Sequence, residues 1–139
     1  MMKQAADLHS ATINQMAINQ VARACFDAQV ARANAVYRDR RDCMLSALAK
    51  HMPDGVTWTQ PEGGMFIWVT LPDGIDAADL LSRSLETEKV AFVPGRPFFA
   101  DGSNENTLRL SYSCMSSDRI EEGMLRLGRL LRAAMPAAK

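Results

Sequence analysis

Apolar positions recur at helical steps over the first third of the chain, then at strand steps, then at helical steps again. Between Lys3 and Gln29, Ile13, Met16, Ala17, Val21, Ala24 and Cys25 fall near the intervals that line one face of a helix. His9-Ser10 marks an expected break in this run. A second set, Val30, Ala33, Tyr37, Met44, Leu45 and Leu48, carries a further helix to about Lys50. The charged cluster Arg38 to Asp42 interrupts it and reads as a solvated stretch with local ion pairs. Pro53-Asp54-Gly55 is a turn and a helix stop.

The period then changes to two. Val56-Thr57-Trp58-Thr59 alternates as a short strand, and Met65 to Leu71 is β-rich and apolar on both faces, as expected of a strand covered on both sides or nearly so. After Pro72-Asp73-Gly74, Asp76 is placed to cap a helix carrying Leu80, Leu81 and Leu85 and closing near Lys89. Val90 to Val93 predicts a strand broken by Pro94-Gly95. The polar loop Asp101 to Asn106 precedes a strand over Thr107 to Ser113. A last helix opens at Ser116-Ser117-Asp118 and ends at Pro136. Its inward stripe is Ile120, Met124, Leu127, Leu131 and Ala134, with Glu122 and Arg126 as an i,i+4 pair. The order predicts an α+β sandwich, helices on a small mixed β-sheet, preceded by a helical arm.

Charge and composition narrow the function classes. Sixteen basic and sixteen acidic residues in 139 cancel, so the basic surplus that drives nucleic-acid binding is missing. The longest apolar run, Met65 to Val69, is far short of the ~20 residues that span a bilayer, so no membrane partner is expected. Met1-Met2-Lys3-Gln4 leads into a polar, Ala-rich stretch without a signal core, which predicts a cytoplasmic protein. Cys25, Cys43 and Cys114 are odd in number and widely spaced, arguing for reduced, mostly buried thiols rather than a disulfide or metal site.

Candidate chemistry is sparse. No P-loop occurs, and Pro61-Glu62-Gly63-Gly64 lacks dinucleotide spacing; its glycines fit either a bulge or close approach of a ligand. His9 and His51 are the only histidines, and no G-x-S-x-G elbow accompanies them, so no hydrolase triad assembles. Arg109 stands out. Alternation over Thr107 to Ser113 puts Leu108, Leu110 and Tyr112 on one face and Thr107, Arg109, Ser111 and Ser113 on the other. A guanidinium mid-strand stays wet, joins an ion pair, or grips an anion such as a substrate carboxylate bidentately. Pro94-Gly95-Arg96-Pro97-Phe98-Phe99 either covers a core edge or lines a pocket, with Arg96 as a second anion candidate.

In combination these segments resemble a known family. Tyr37 to Leu48, Pro61 to Trp68, Val93 to Phe98, Asn106 to Ser113 and Asp118 to Gly123 are similar, in order, to stretches of class I/II aminotransferases. These are pyridoxal-phosphate enzymes of fold type I, and the likeness is to the aminoadipate/kynurenine-type branch, which includes the aminotransferase-like half of MocR-type regulators. Lys3 to Ser10 resembles the stretch that leaves the large domain in that branch. The resemblance implies that residues 1–29 derive from the end of the cofactor-binding large domain and residues 30–139 form the small, C-terminal domain.

It further implies that Arg109 binds the substrate α-carboxylate, and that Gly64, Pro94 and Gly95 line the substrate side of the cleft. Ser10 to Asn14 resembles a segment near the family's dimer interface, so a homodimer or self-association is expected. The departure is the Schiff-base lysine: Lys3, Lys50, Lys89 and Lys139 are the only lysines, and none has the family's context. No catalytic, cofactor-binding or metal-binding residue is therefore assigned. Pyridoxal phosphate belongs to a longer parent acting on an amino acid and a 2-oxo acid, and none is expected on this chain, which is expected to be inactive alone. The Met1-Met2 start suits a short reading frame or an internal start. Alternatives of another class are the effector-sensing domain of a MocR-type regulator and a non-catalytic interaction domain.

Overall fold

The computed structural model describes residues 10–135. The features expected at Met1 to His9 and at Pro136 lie outside them. Contacts divide the chain into two units, residues 1–35 and 36–139.

Helix α1, Thr12–His51, is a single element of 40 residues. The two helical patterns expected on either side of Gln29 are one helix, because no Gly or Pro stands between them to stop it. Within the first unit its apolar residues face solvent: Ile13, Met16, Ile18, Val21 and Phe26 are all exposed.

The second unit is a four-stranded sheet with helices. Strands β1 (Thr57–Trp58), β2 (Phe66–Thr70), β3 (Val93–Pro94) and β4 (Thr107–Ser111) lie in the order β1-β2-β4-β3. Helix α2, Ala77–Thr87, connects β2 to β3, and α3, Ser117–Ala134, follows β4. The sheet was expected to be mixed, yet every pairing is antiparallel. The β2–α2–β3 crossover makes β2 and β3 point the same way, but β4 inserts between them, so no parallel pair forms.

One face of this sheet makes the core. Ile67 and Val69 of β2 and Leu108 and Leu110 of β4 are buried with Met44, Ala47 and Leu48 of α1, Leu80 of α2, and Ile120, Met124, Leu127 and Leu131 of α3. Each of these side chains other than Ala47 contributes about 1.5–3 kcal/mol on leaving water. The α3 stripe is the one its spacing predicts, and the Glu122–Arg126 pair closes at 2.6 Å. Asp76 caps α2, its carboxylate accepting from the Ala78 amide at 2.6 Å.

Three expectations need correction and one is sharpened. Strand β2 is fully covered on its core face only: on the other, Phe66 is exposed and Trp68 is half-buried, packed by the Phe98 and Phe99 rings of the turn after β3. The third strand is Val93–Pro94 rather than Val90 to Val93; Pro94 is tolerated because β3 is an edge strand. The charged cluster is helical and only partly solvated. Arg40 donates to the Ser113 carbonyl and Arg41 to the Glu62 carbonyl at 2.7 Å, while Arg41 also pairs with Asp42. Lastly, Cys25 and Cys114 are exposed, Cys25 lying on the solvent-facing part of α1 and Cys114 in the bend after β4; only Cys43 is half-buried.

Candidate functional site

The site is built on the face of the sheet that the core leaves free. Strand alternation sends Phe66, Trp68 and Thr70 of β2 and Thr107, Arg109 and Ser111 of β4 to the side opposite Ile67, Val69, Leu108 and Leu110. Antiparallel register sets Trp68 directly across from Arg109 on one side and Val93 across from it on the other. Arg109 is therefore held on a central strand between two neighbours, with its side chain on the free face.

Aromatic rings frame the guanidinium. Arg109 Cζ lies 4.0 Å from the centre of the Phe66 ring and 4.9 Å from that of Phe98. Trp68 meets Phe98 edge-on at 5.5 Å and Phe99 at 5.9 Å. Arg109 has no ion pair among the described residues, and its Nε is sealed from water with no hydrogen-bond partner. An enclosed donor on a charged group without an acceptor is costly, and few native groups are left so.

Phe98 reaches Arg109 because the chain turns sharply after β3. A short 3₁₀ turn, Arg96–Phe98, starts with Pro97 inside it, and the Gly95 amide donates to the Thr107 carbonyl at 2.7 Å. Gly95 is buried against β4. A Cβ there would fall 2.0 Å from Thr107 Oγ1 and 2.8 Å from Trp68 Cζ2, so only glycine permits the approach.

The sequence-derived candidates do not all come together. Arg109, Pro94 and Gly95 are neighbours, since Pro94 stands opposite Leu108 and Gly95 bonds to Thr107. Gly64 belongs to the other end of β4, in the loop before β2, where Phe66 pairs with Ser111. Its φ of +86° is a left-handed turn that favours glycine, and the Tyr112 hydroxyl donates to the Gly63 carbonyl at 3.1 Å to hold that loop. Arg96 does not join the site: it is exposed and lies 3.9 Å from Glu105.

Phe66 and Trp68 were not singled out from the sequence, and Phe98 only as part of the Pro94 to Phe99 stretch read as covering a core edge or lining a pocket. The signal was present in the alternation of Phe66, Trp68 and Thr70, but pairing with Arg109 requires the β2–β4 register, which local pattern does not specify. No cluster of three His, Cys, Asp or Glu that could hold a metal occurs among the described residues, and none of their helices is long and apolar enough to cross a membrane.

Residues 1–127 match the profile of a family described as aminotransferase class I and II. The chain belongs to this family. A 2-aminoadipate transaminase of Thermus thermophilus is 47% identical to this aminotransferase chain over 133 residues, covering 96% of it and 33% of the relative. The crystal structure of LysN, the alpha-aminoadipate aminotransferase of that organism complexed with N-(5'-phosphopyridoxyl)-L-leucine, has a TM-score of 0.88 at 48% identity, covering 95% of this chain and 34% of that one. A Pyrococcus horikoshii kynurenine aminotransferase has a TM-score of 0.89 at 40% identity, covering 98% and 34%. The aminotransferase chain thus has the fold of a fold type I enzyme and spans about a third of the length of these relatives.

The family's cofactor is pyridoxal phosphate, whose aldehyde requires a lysine. The described lysines are engaged elsewhere: Lys50 Nζ lies 2.6 Å from Glu121 Oε1, and Lys89 Nζ donates to the Glu86 carbonyl at 2.9 Å. Neither stands on a strand of the Arg109 face. The described residues do not fit the cofactor.

Proposed function

We propose that this chain supplies the substrate-carboxylate side of a pyridoxal-phosphate-dependent aminotransferase, with Arg109 gripping the α-carboxylate of an amino acid or 2-oxo acid. The observation that carries the reading is a guanidinium fixed on a central strand, framed by rings and lacking any acidic partner among the described residues. A carboxylate arriving there exchanges an unmatched charge for a charge-assisted pair, a gain on the order of 1.5–3 kcal/mol. Pro94 and Gly95 belong to this reading through the turn that brings Phe98 to Arg109, and Gly64 through the loop at the other end of β4.

In this reading the cofactor lysine, and with it the chemistry of amino transfer, comes from sequence other than these residues. The chain alone is inactive. Residues 1–29 belong with the cofactor-binding domain and residues 30–139 are the small domain. The exposed apolar side chains of α1, Ile13 to Phe26, support self-association of the isolated chain or assembly as a homodimer in a longer one. The protein is assigned to the cytoplasm.

The test is direct. Pyruvate, as a simple 2-oxo acid, should quench the fluorescence of Trp68, which stands across from Arg109, and Arg109→Ala should abolish the response; a Trp58→Phe background isolates the signal. Methyl pyruvate, which carries no charge, should give none. An undiminished pyruvate response in Arg109→Ala refutes the assignment. A lysine of this chain trapped stoichiometrically by borohydride in the presence of pyridoxal phosphate would overturn the division of labour.

A further inference from the structure

We propose that Phe66 and Phe98 are positioning residues that hold the Arg109 guanidinium between two aromatic faces in place of the acidic partner such a group ordinarily has. The inference rests on the reading of Arg109 as the carboxylate anchor and deepens it.

A fixed arginine in a binding site faces conflicting demands. Its long side chain must lose rotamer freedom before the ligand arrives, which usually means pairing it with an Asp or Glu. Such a partner would also neutralise the charge and compete with the incoming carboxylate. Aromatic faces resolve the conflict. They attract the cation through the ring quadrupole, hold its plane, and offer no oxygen to occupy its donors.

The arrangement at Arg109 has this form. The rings of Phe66 and Phe98 lie 4.0 and 4.9 Å from Cζ, within the ~6 Å range of a cation–π contact. They come from different elements, β2 and the 3₁₀ turn after β3, so the guanidinium is gripped by the tertiary fold rather than by its own strand. Phe98 is itself held by Trp68 edge-on, and Trp68 packs against the Gly95 backbone that lets the turn approach. Both phenylalanines are substantially exposed in this chain, at 39% and 51%, and their rings lie against Arg109 rather than in the core.

The experiment uses the full 139-residue chain with two readouts. The first needs no ligand: in ¹H–¹⁵N spectra the Arg109 Nε–H should be shifted upfield by ring current and exchange slowly with water. Phe66→Leu and Phe98→Leu, which retain apolar bulk at exposed positions, should each remove part of that shift and speed the exchange; Phe66→Tyr and Phe98→Tyr should restore both. The second is pyruvate affinity, which each Leu variant should weaken ~3- to 10-fold and each Tyr variant recover to within ~2-fold. Unchanged Nε–H position and exchange in both Leu variants overturns the proposal, as does unchanged pyruvate affinity in variants of a wild type that binds it. A wild type with the ring-shifted Nε–H, lost in the Leu variants, but no pyruvate response refutes the carboxylate reading and leaves the aromatic clamp standing.

Discussion

Gly95 and Thr107 touch more closely than any residue with a Cβ would allow: the Gly95 amide donates to the Thr107 carbonyl at 2.7 Å, and a methyl group on Gly95 would sit 2.0 Å from Thr107 Oγ1. This contact brings the Arg96–Phe98 turn down onto the face that carries Arg109. Gly95→Ala must push the turn away or distort β4. It should destabilise the chain by about 1–3 kcal/mol, read as a lower urea midpoint, and weaken pyruvate binding by displacing Phe98. A variant with wild-type midpoint and affinity would show that the turn yields freely.

Two glycines of α3 should respond with opposite signs. Nothing lies within 4 Å of a Cβ built on Gly123, whereas one on Gly128 would fall 2.2 Å from the His51 carbonyl oxygen at the end of α1. Helix propensity favours alanine by about 0.8–1 kcal/mol at an interior helical position. That preference acts unopposed at Gly123, so Gly123→Ala should raise the melting temperature. At Gly128 the clash is with backbone, which cannot rotate aside, and Gly128→Ala should lower stability by about 1–3 kcal/mol.

Acid should weaken the fold through two carboxylates. Hydrogen bonds from Arg129 hold Glu88 below its usual value of 4.5, and hydrogen bonds from Lys50 and His51 do the same for Glu121. Groups whose folded pKa is depressed contribute stability that is present above the unfolded value and lost as pH falls through the folded one. Denaturant midpoints should therefore drop as pH decreases below about 4.5. Glu88→Gln and Glu121→Gln should each be less stable than wild type at neutral pH and show a shallower acid limb.

Tyr112 should set the alkaline limb. Burial pushes its phenol above the ordinary value of 10.0, with the nearby Arg41 charge opposing the shift. The folded state then favours the neutral phenol, so stability is complete below about 10 and declines as pH rises through the higher folded value. Tyr112→Phe should flatten this decline. At neutral pH it should cost about 1 kcal/mol, from the lost hydrogen bond to the Gly63 carbonyl. An alkaline limb identical in the variant would place the titration elsewhere.

Much of the fold, and the placement of Arg109 on the face away from the core, were legible in the chain. The Ile120-Met124-Leu127-Leu131 stripe, the Asp76 cap and the segregation of Leu108 and Leu110 from Arg109 all follow from periods of about 3.6 and 2, which are properties of neighbouring residues. The order of family-like motifs likewise lay in the chain itself. Local pattern failed where a partner distant in sequence decided the outcome. It could not tell that β4 inserts between β2 and β3, since strands pair through backbone groups that, proline's missing N–H aside, are the same in every residue. Nor could it show that Arg40 and Arg41 tie down loops far along the chain instead of facing solvent.

Arg109 shows where the division lies. Its presence on a strand face away from the core is written in the alternation of Thr107 to Ser111. That it lies against both Phe66 and Phe98, with Trp68 opposite on β2 and no acid among the described residues to neutralise it, exists only once register and the turn after Pro94 bring three remote segments together. Period is local because it repeats the geometry of one element. A binding geometry is long-range because it is the distance between elements, and packing alone sets that.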